Sequence, residues 1–222
     1  ILSDLTGEPA PDDAWVHAGP ITHASGLFVL PHVATGTRQI VLPAFSPEAL
    51  VEAVGERGGT GTVLVPTMVA RMLAHEGIGP AALAPLRRLA YAGSPTPPEQ
   101  IRRSAEVLTP NLVQFYGLVE AIPPVTVLST ADHARGLADR PDLLTSAGRA
   151  CRGVELAILD DEGNAVLPGE LGEVATRGDH VMQGYFGQAA SATDVTKHLV
   201  DGWLRTGDVG RIDDEGYLFL AD

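Results

Sequence analysis

The chain has 222 residues, 45% of them hydrophobic and 19% charged, with a formal net charge of −13. That is enough apolar side chain for one large domain, or one domain with a small satellite. The charge repels nucleic-acid phosphates and anionic membrane surfaces, which excludes nucleic acid as the expected partner. A single cysteine, Cys151, rules out an internal disulfide framework and fits a reducing, cytoplasmic setting; it reads as structural, with no base beside it in sequence. No apolar run approaches the ~20 residues of a membrane span, and no secretory signal pattern opens the chain. It starts abruptly at Ile1 and stops at Asp222 inside a strand-like stretch, so it reads as a piece of a longer protein.

In chain order, residues 27–31 and 39–42 are short apolar runs bounded by Gly and Pro, expected as buried strands. Ser46-Pro47-Glu48 predicts a helix start: a capping hydroxyl, a proline in the first position and an acid at the positive end of the dipole. Gly58-Gly59 is expected to end that helix. Residues 62–65 predict a strand, and Pro66-Thr67 opens a helix running to Leu73. A strand at 89–91, a helix from Pro97-Pro98-Glu99 and a strand at 112–115 continue the alternation. This rhythm predicts an α/β fold: a mostly parallel sheet with flanking helices. From Ser146 the pattern changes to short strands at 154–159, 173–177, 203–205, 209–212 and 217–220, with an Asp/Gly turn at 160–164. A small antiparallel, barrel-like β subdomain is expected there, giving a division into 1–145 and 146–222.

Four segments carry candidate chemistry. Tyr91-Ala92-Gly93-Ser94-Pro95 follows a strand, where open α/β sheets bind ligands and a glycine lets a flat ring approach the backbone. Gln114-Phe115-Tyr116-Gly117-Leu118-Val119-Glu120-Ala121 delivers an aromatic face and then a carboxylate suited to Mg²⁺. The third runs from Gly169-Glu170-Leu171-Gly172-Glu173 to Gly184-Tyr185-Phe186. The fourth, Asp201-Gly202-Trp203-Leu204-Arg205-Thr206-Gly207-Asp208, ends on a carboxylate able to accept from two hydroxyls. Taken singly, these read equally as a βα turn, a core tyrosine with a solvated glutamate, and a turn-capping aspartate.

Taken together and in this order, they resemble the adenylate-forming superfamily of AMP-dependent synthetases and ligases, most of all acyl-CoA synthetases. Tyr116 to Glu120 resembles its tyrosine-glycine-x-threonine-glutamate signature, and Arg205 to Asp208 matches arginine-threonine-glycine-aspartate outright. Pro20-Ile21-Thr22-His23-Ala24-Ser25-Gly26 resembles its proline-x-x-histidine-x-x-glycine segment. The resemblance implies that ATP and a carboxylic acid form an acyl-adenylate, from which coenzyme A displaces AMP. It implies an adenine wall of Ala92, Gly93 and Ser94, with Tyr116 stacking opposite. Gly117 and Val119 complete the nucleotide stretch, Glu120 holds Mg²⁺ and Asp208 binds the ribose hydroxyls. His23, Ser25, Gly26 and Leu118 border the acyl pocket.

Two departures stand out. Val119 replaces the usual threonine and cannot donate to the α-phosphate, which is expected to weaken adenylate binding by ~1 kcal/mol or more. The family's phosphate loop, hinge arginine and C-terminal domain with the adenylation lysine have no counterpart in the 222 residues, so the chain alone is not expected to complete the reaction. The segment 20–26 contains no acid to hold an amino group, so a fatty or aryl acid is expected, with the small Ser25 giving a deep pocket. A carrier protein is the alternative acceptor, a second copy in a homodimer is the expected assembly partner, and a non-catalytic adenylate-binding relative is the other reading. His17, His32, His75, His133, His180 and His198 show no metal spacing and read as packed or surface residues. Arg87-Arg88 and Arg102-Arg103 read as solvated helix charges. The absence of a Gly-x-Ser-x-Gly elbow disfavours a hydrolase.

Overall fold

A computed structural model describes residues 10–185 and 199–221, which divide into two compact units. The first comprises Leu2–Gln114 with Ser129–Thr145. Its strands β1 (Ala14–His17), β2 (Arg38–Val41), β3 (Gly61–Leu64), β4 (Arg88–Tyr91) and the start of β5 (Leu112–Tyr116) lie in the order β2-β1-β3-β4-β5. Every pairing among them is parallel. The helices between them are α1 (Val29–Ala34), α2 (Pro47–Gly55), α3 (Pro66–Ala74) and α4 (Pro98–Val107), with α5 (Thr130–Ala138) following later. The expected mostly parallel α/β architecture is therefore present. Its core joins Val16, Leu64 and Leu89 from the strands to Leu50, Val54, Val69, Met72 and Ile101 from the helices.

Local chemistry explains the helix ends. The Ser46 hydroxyl accepts from the Ala49 amide at 3.1 Å, and Pro47 takes the first turn. The helix ends at Gly55 with Glu56 as its cap, earlier than Gly58-Gly59 suggests. At α5, the Ser129 hydroxyl accepts from the Asp132 amide at 3.2 Å while the Asp132 carboxylate accepts from the Ser129 amide at 3.0 Å. This is a reciprocal capping box.

Residues 27–31 are helical, not a strand: a 3-10 turn, Ala24–Phe28, runs straight into α1. Phe28 and His32, four apart, are buried on one helical face, while Leu30 and Val33 face outward. The Trp15 ring of β1 decides the matter by stacking on Phe28 at 4.4 Å and on His32 at 4.8 Å. Gly61 lies beneath the same ring, where a Cβ would stand 2.5 Å from its carbons. Arg87 and Arg88 are not helix charges either. Arg87 precedes β4 and pairs with Asp12 and Asp13, and Arg88 is half-buried in β4.

The second unit comprises Phe115–Leu128 and Ser146–Asp222. A cut at Thr145 places 115–128 with the preceding residues; the contacts group it with the following ones. Here β6 (Thr126–Leu128) pairs antiparallel with β7 (Arg149–Ala150). The strands β8 (Glu155–Leu159), β9 (Gly172–Arg177), β10 (Leu199–Val200), β11 (Trp203–Ile212) and β12 (Leu218–Leu220) form an antiparallel sheet. Its order is β10-β11-β9-β8, with β12 on β11. Ala147, Ile158, Val174 and Leu218 make its core. The two strands expected at 203–205 and 209–212 are one strand, β11, whose register against β9 shifts between Arg205 and Val209. That irregularity holds Thr206-Gly207-Asp208, with Gly207 at φ 83°.

Candidate functional site

In the first unit the candidate residues follow strand ends. Ala92 is buried just beyond β4, and Gly93 (φ 102°) and Ser94 are exposed after it. The strand end is anchored beneath them. The Tyr91 hydroxyl lies 2.8 Å from His133 Nε2, and His133 Nδ1 lies 2.8 Å from the Ser129 carbonyl. A carbonyl only accepts, so Nδ1 carries the proton and Nε2 receives the Tyr91 hydroxyl. Burial raises the Tyr91 phenol well above its ordinary value and lowers His133 to about 4, which keeps both neutral.

His23 is exposed at the start of the 3-10 turn, with Nδ1 2.9 Å from the Thr22 hydroxyl. Gly26 cannot carry a side chain, because a Cβ would lie 2.0 Å from the Ile21 carbonyl oxygen. Ser25 departs from expectation. It is only 3% exposed, and its hydroxyl stands 3.1 Å from His17 Nδ1, whose Nε2 is 2.8 Å from Gln39 Oε1. The Ser25 carbonyl oxygen lies 3.2 Å from the same Nδ1, so Ser25, His17 and Gln39 form one hydrogen-bonded cluster. The small size of Ser25 thus fits it into a buried hydrogen-bonded network.

In the second unit two tyrosine–carboxylate pairs stand out. Tyr116, at the end of β5, donates to Asp208 Oδ2 at 2.6 Å. Burial, and then this bond, push the Tyr116 phenol well above its ordinary value. Gly117 packs on Pro123, where a Cβ would meet side-chain and backbone atoms at 3.0–3.1 Å. Leu118 is half-buried and Val119 is 87% exposed. Glu120 sits in the short 3-10 turn Val119–Ala121; its Oε1 accepts from the Tyr185 hydroxyl at 2.7 Å.

The arginine-threonine-glycine-aspartate run has a structural reason for each residue. Arg205 Nε donates to Glu173 at 2.6 Å, Thr206 donates to the Val174 carbonyl at 2.9 Å, and the Gly207 amide donates to Glu173 at 3.1 Å. The Asp208 amide donates to the Thr206 hydroxyl at 3.2 Å, which leaves its carboxylate exposed at the turn. Sequence reasoning missed Glu173, His133 and the part played by Tyr185, although Glu173 and Tyr185 both lie in the glycine-rich block 169–186. Phe186 and His198 fall outside the described residues. Cys151 is buried, as are His17, His32, His133 and His180.

Among the described residues no group of three or more His, Cys, Asp or Glu could cage a metal. Mg²⁺ does not require such a cage, since it keeps several waters and binds through one or two carboxylates plus substrate phosphates. None of the described helices is long and apolar enough to cross a membrane.

The profile of the AMP-binding enzyme family matches residues 2–186. The chain is 32% identical over 203 residues to the medium/long-chain-fatty-acid–CoA ligase FadD8 of Mycobacterium tuberculosis, covering 91% of this chain and 34% of that protein. It is 34% identical over 215 residues to the indoleacetate–CoA ligase of Aromatoleum aromaticum, covering 96% and 40%. The amide bond synthetase McbA from Marinactinospora thermotolerans superposes with a TM-score of 0.88 at 32% identity, covering 99% of this chain and 42% of that one. The chain thus spans between a third and a half of these relatives' length. Strand-end motifs, fold and sequence agree: the chain belongs to the AMP-binding enzyme family.

Proposed function

We propose that this protein activates a fatty or aryl carboxylic acid with ATP to an acyl-adenylate, and passes the acyl group to coenzyme A. The observation that carries the reading is the pairing of Tyr116 with Asp208 at 2.6 Å in one unit. An aromatic face and a solvent-exposed carboxylate side by side suit a purine and the vicinal hydroxyls of its ribose. On nucleotide binding the ribose hydroxyls donate to Asp208, and Tyr116 offers its ring to the adenine. In the other unit, Ala92, Gly93 and Ser94 are the further candidates for the nucleotide and His23 and Gly26 for the acid, and in this unit Leu118 is a candidate for the acid.

Glu120 would hold a Mg²⁺ ion, which would supply charge neutralisation at the phosphates while the acid's carboxylate attacks the α-phosphorus and pyrophosphate leaves. The chain's contribution is therefore positioning and charge stabilisation more than proton transfer. Val119 presents no hydroxyl to the α-phosphate, and its side chain is exposed. The acceptor is the least constrained part, since the relatives include two coenzyme A ligases and an amide bond synthetase. Isolated acyl-adenylate offered coenzyme A, an acyl carrier protein and a simple amine separates the acceptors.

Asp208→Ala tests the reading. The variant is expected to bind AMP ten- to a hundredfold more weakly in titration calorimetry, the scale of lost hydrogen bonds to a charged group. Unchanged affinity would remove Asp208 from the nucleotide site.

A further inference from the structure

The glycine-rich block ending at Gly184-Tyr185 has no role in the reading above, yet it grips the turn that carries Glu120. The Met182 amide donates to the Glu120 carbonyl at 2.8 Å, and the Tyr185 hydroxyl donates to Glu120 Oε1 at 2.7 Å. Backbone and carboxylate of one residue are thus held by one short segment. The turn Val119–Ala121 is a single 3-10 turn with no side-chain cap; Val119 within it and Ile122 after it are exposed. Tyr185 is half-exposed, so the hydroxyl does not serve a buried core.

From this we infer that Tyr185 is the positioning residue for the Glu120 carboxylate. It selects the rotamer in which Glu120 faces a divalent cation accompanying the nucleotide phosphates. The inference rests on the Glu120 assignment in the proposed function. A phenol suits the task, because its O–H donates to one carboxylate oxygen while the carboxylate as a whole offers about four acceptor positions. Partners that orient a metal-binding group in this way typically govern metal affinity ten- to a hundredfold.

The test uses Mn²⁺ as a spin-active probe, titrated into the protein with ATP and followed by electron paramagnetic resonance. Tyr185→Phe removes only the hydroxyl. It is expected to weaken Mn²⁺·ATP binding about tenfold, while metal-free AMP affinity and the melting temperature stay as in the parent. Mn²⁺·ATP affinity within twofold of the parent would overturn the inference, as would an equal loss of metal-free AMP affinity. Glu120→Gln is measured alongside. If it abolishes metal-dependent binding while Tyr185→Phe does not, the Tyr185 role fails and the Glu120 assignment stands. If Glu120→Gln has no effect, the Glu120 assignment itself fails, and the inference with it.

Discussion

Single residues carry the most direct consequences. His32 and His133 are buried, and burial lowers both to about 4; the nearby His17 adds to the effect at His32. In the unfolded chain they titrate near 6.5. The unfolded state therefore binds more protons between those values, and stability rises with pH across them. The contribution of these two histidines is present in full above about pH 6.5 and is lost as pH falls toward about 4. Urea midpoints measured at steps through this window are expected to fall as the solution is acidified. In His133→Asn the dependence should be shallower, whereas an unchanged slope would mean that His133 titrates normally in the fold. Val119 is the other informative residue. Being 87% exposed, it is expected to accept threonine within ~0.5 kcal/mol of parent stability. If the missing hydroxyl limits the reaction, Val119→Thr raises the adenylation rate about fivefold, the worth of one hydrogen bond. Tyr116, Glu120 and Asp208 stood out in the sequence as members of ordered motifs. Their pairings were not legible there, because Tyr116–Asp208 and Tyr185–Glu120 join residues 92 and 65 positions apart. The burial of Ser25 was illegible for the same reason: it depends on His17 and on Gln39 of a neighbouring strand.

Among the elements, those that announce themselves locally were readable. The Ser46-Pro47 start of α2, the proline starts of α3 and α4, and the β-branched run of β3 all lie within a residue or two of expectation. β1 escaped because Ala14–His17 is four residues long and buried throughout, so it shows no alternation. The helical stretch after Ala24 was misread because short apolar runs look alike until a partner, here Trp15, selects one face. The capping box of α5 was present in sequence as Ser129 and Asp132 but was not used. Close packing of elements also sets a sharp test. At Gly148 (φ 92°) a Cβ would meet the backbone of Val127 and Leu128 at 2.1–2.2 Å, whereas Gly153 (φ 79°) has nothing within 4 Å. Gly148→Ala is expected to cost more than ~3 kcal/mol and Gly153→Ala about 1 kcal/mol, read from urea denaturation. Equal costs would mean that β6 and β7 are not held at this distance.

For the molecule as a whole, composition and charge speak clearly. A net charge of −13 implies self-repulsion in the folded state, so raising salt from about 10 to about 150 mM is expected to increase the melting temperature. Filter binding to duplex DNA at the lower salt should stay at background. The α/β alternation followed by an antiparallel sheet was evident from the sequence. The grouping of 115–128 with the later residues was not, since it depends on contacts such as Tyr116–Asp208. What the family contributes is a reaction class, while the acid and the acceptor depend on pocket detail that family membership leaves open. The most direct measurement is carboxylate-dependent exchange of labelled pyrophosphate into ATP, run with a panel of fatty and aryl acids on the chain joined to its native upstream and downstream segments. Exchange supported by members of that panel and abolished in Asp208→Ala is the predicted result. Tight ATP binding with no exchange for any acid would contradict adenylation as the function of this protein.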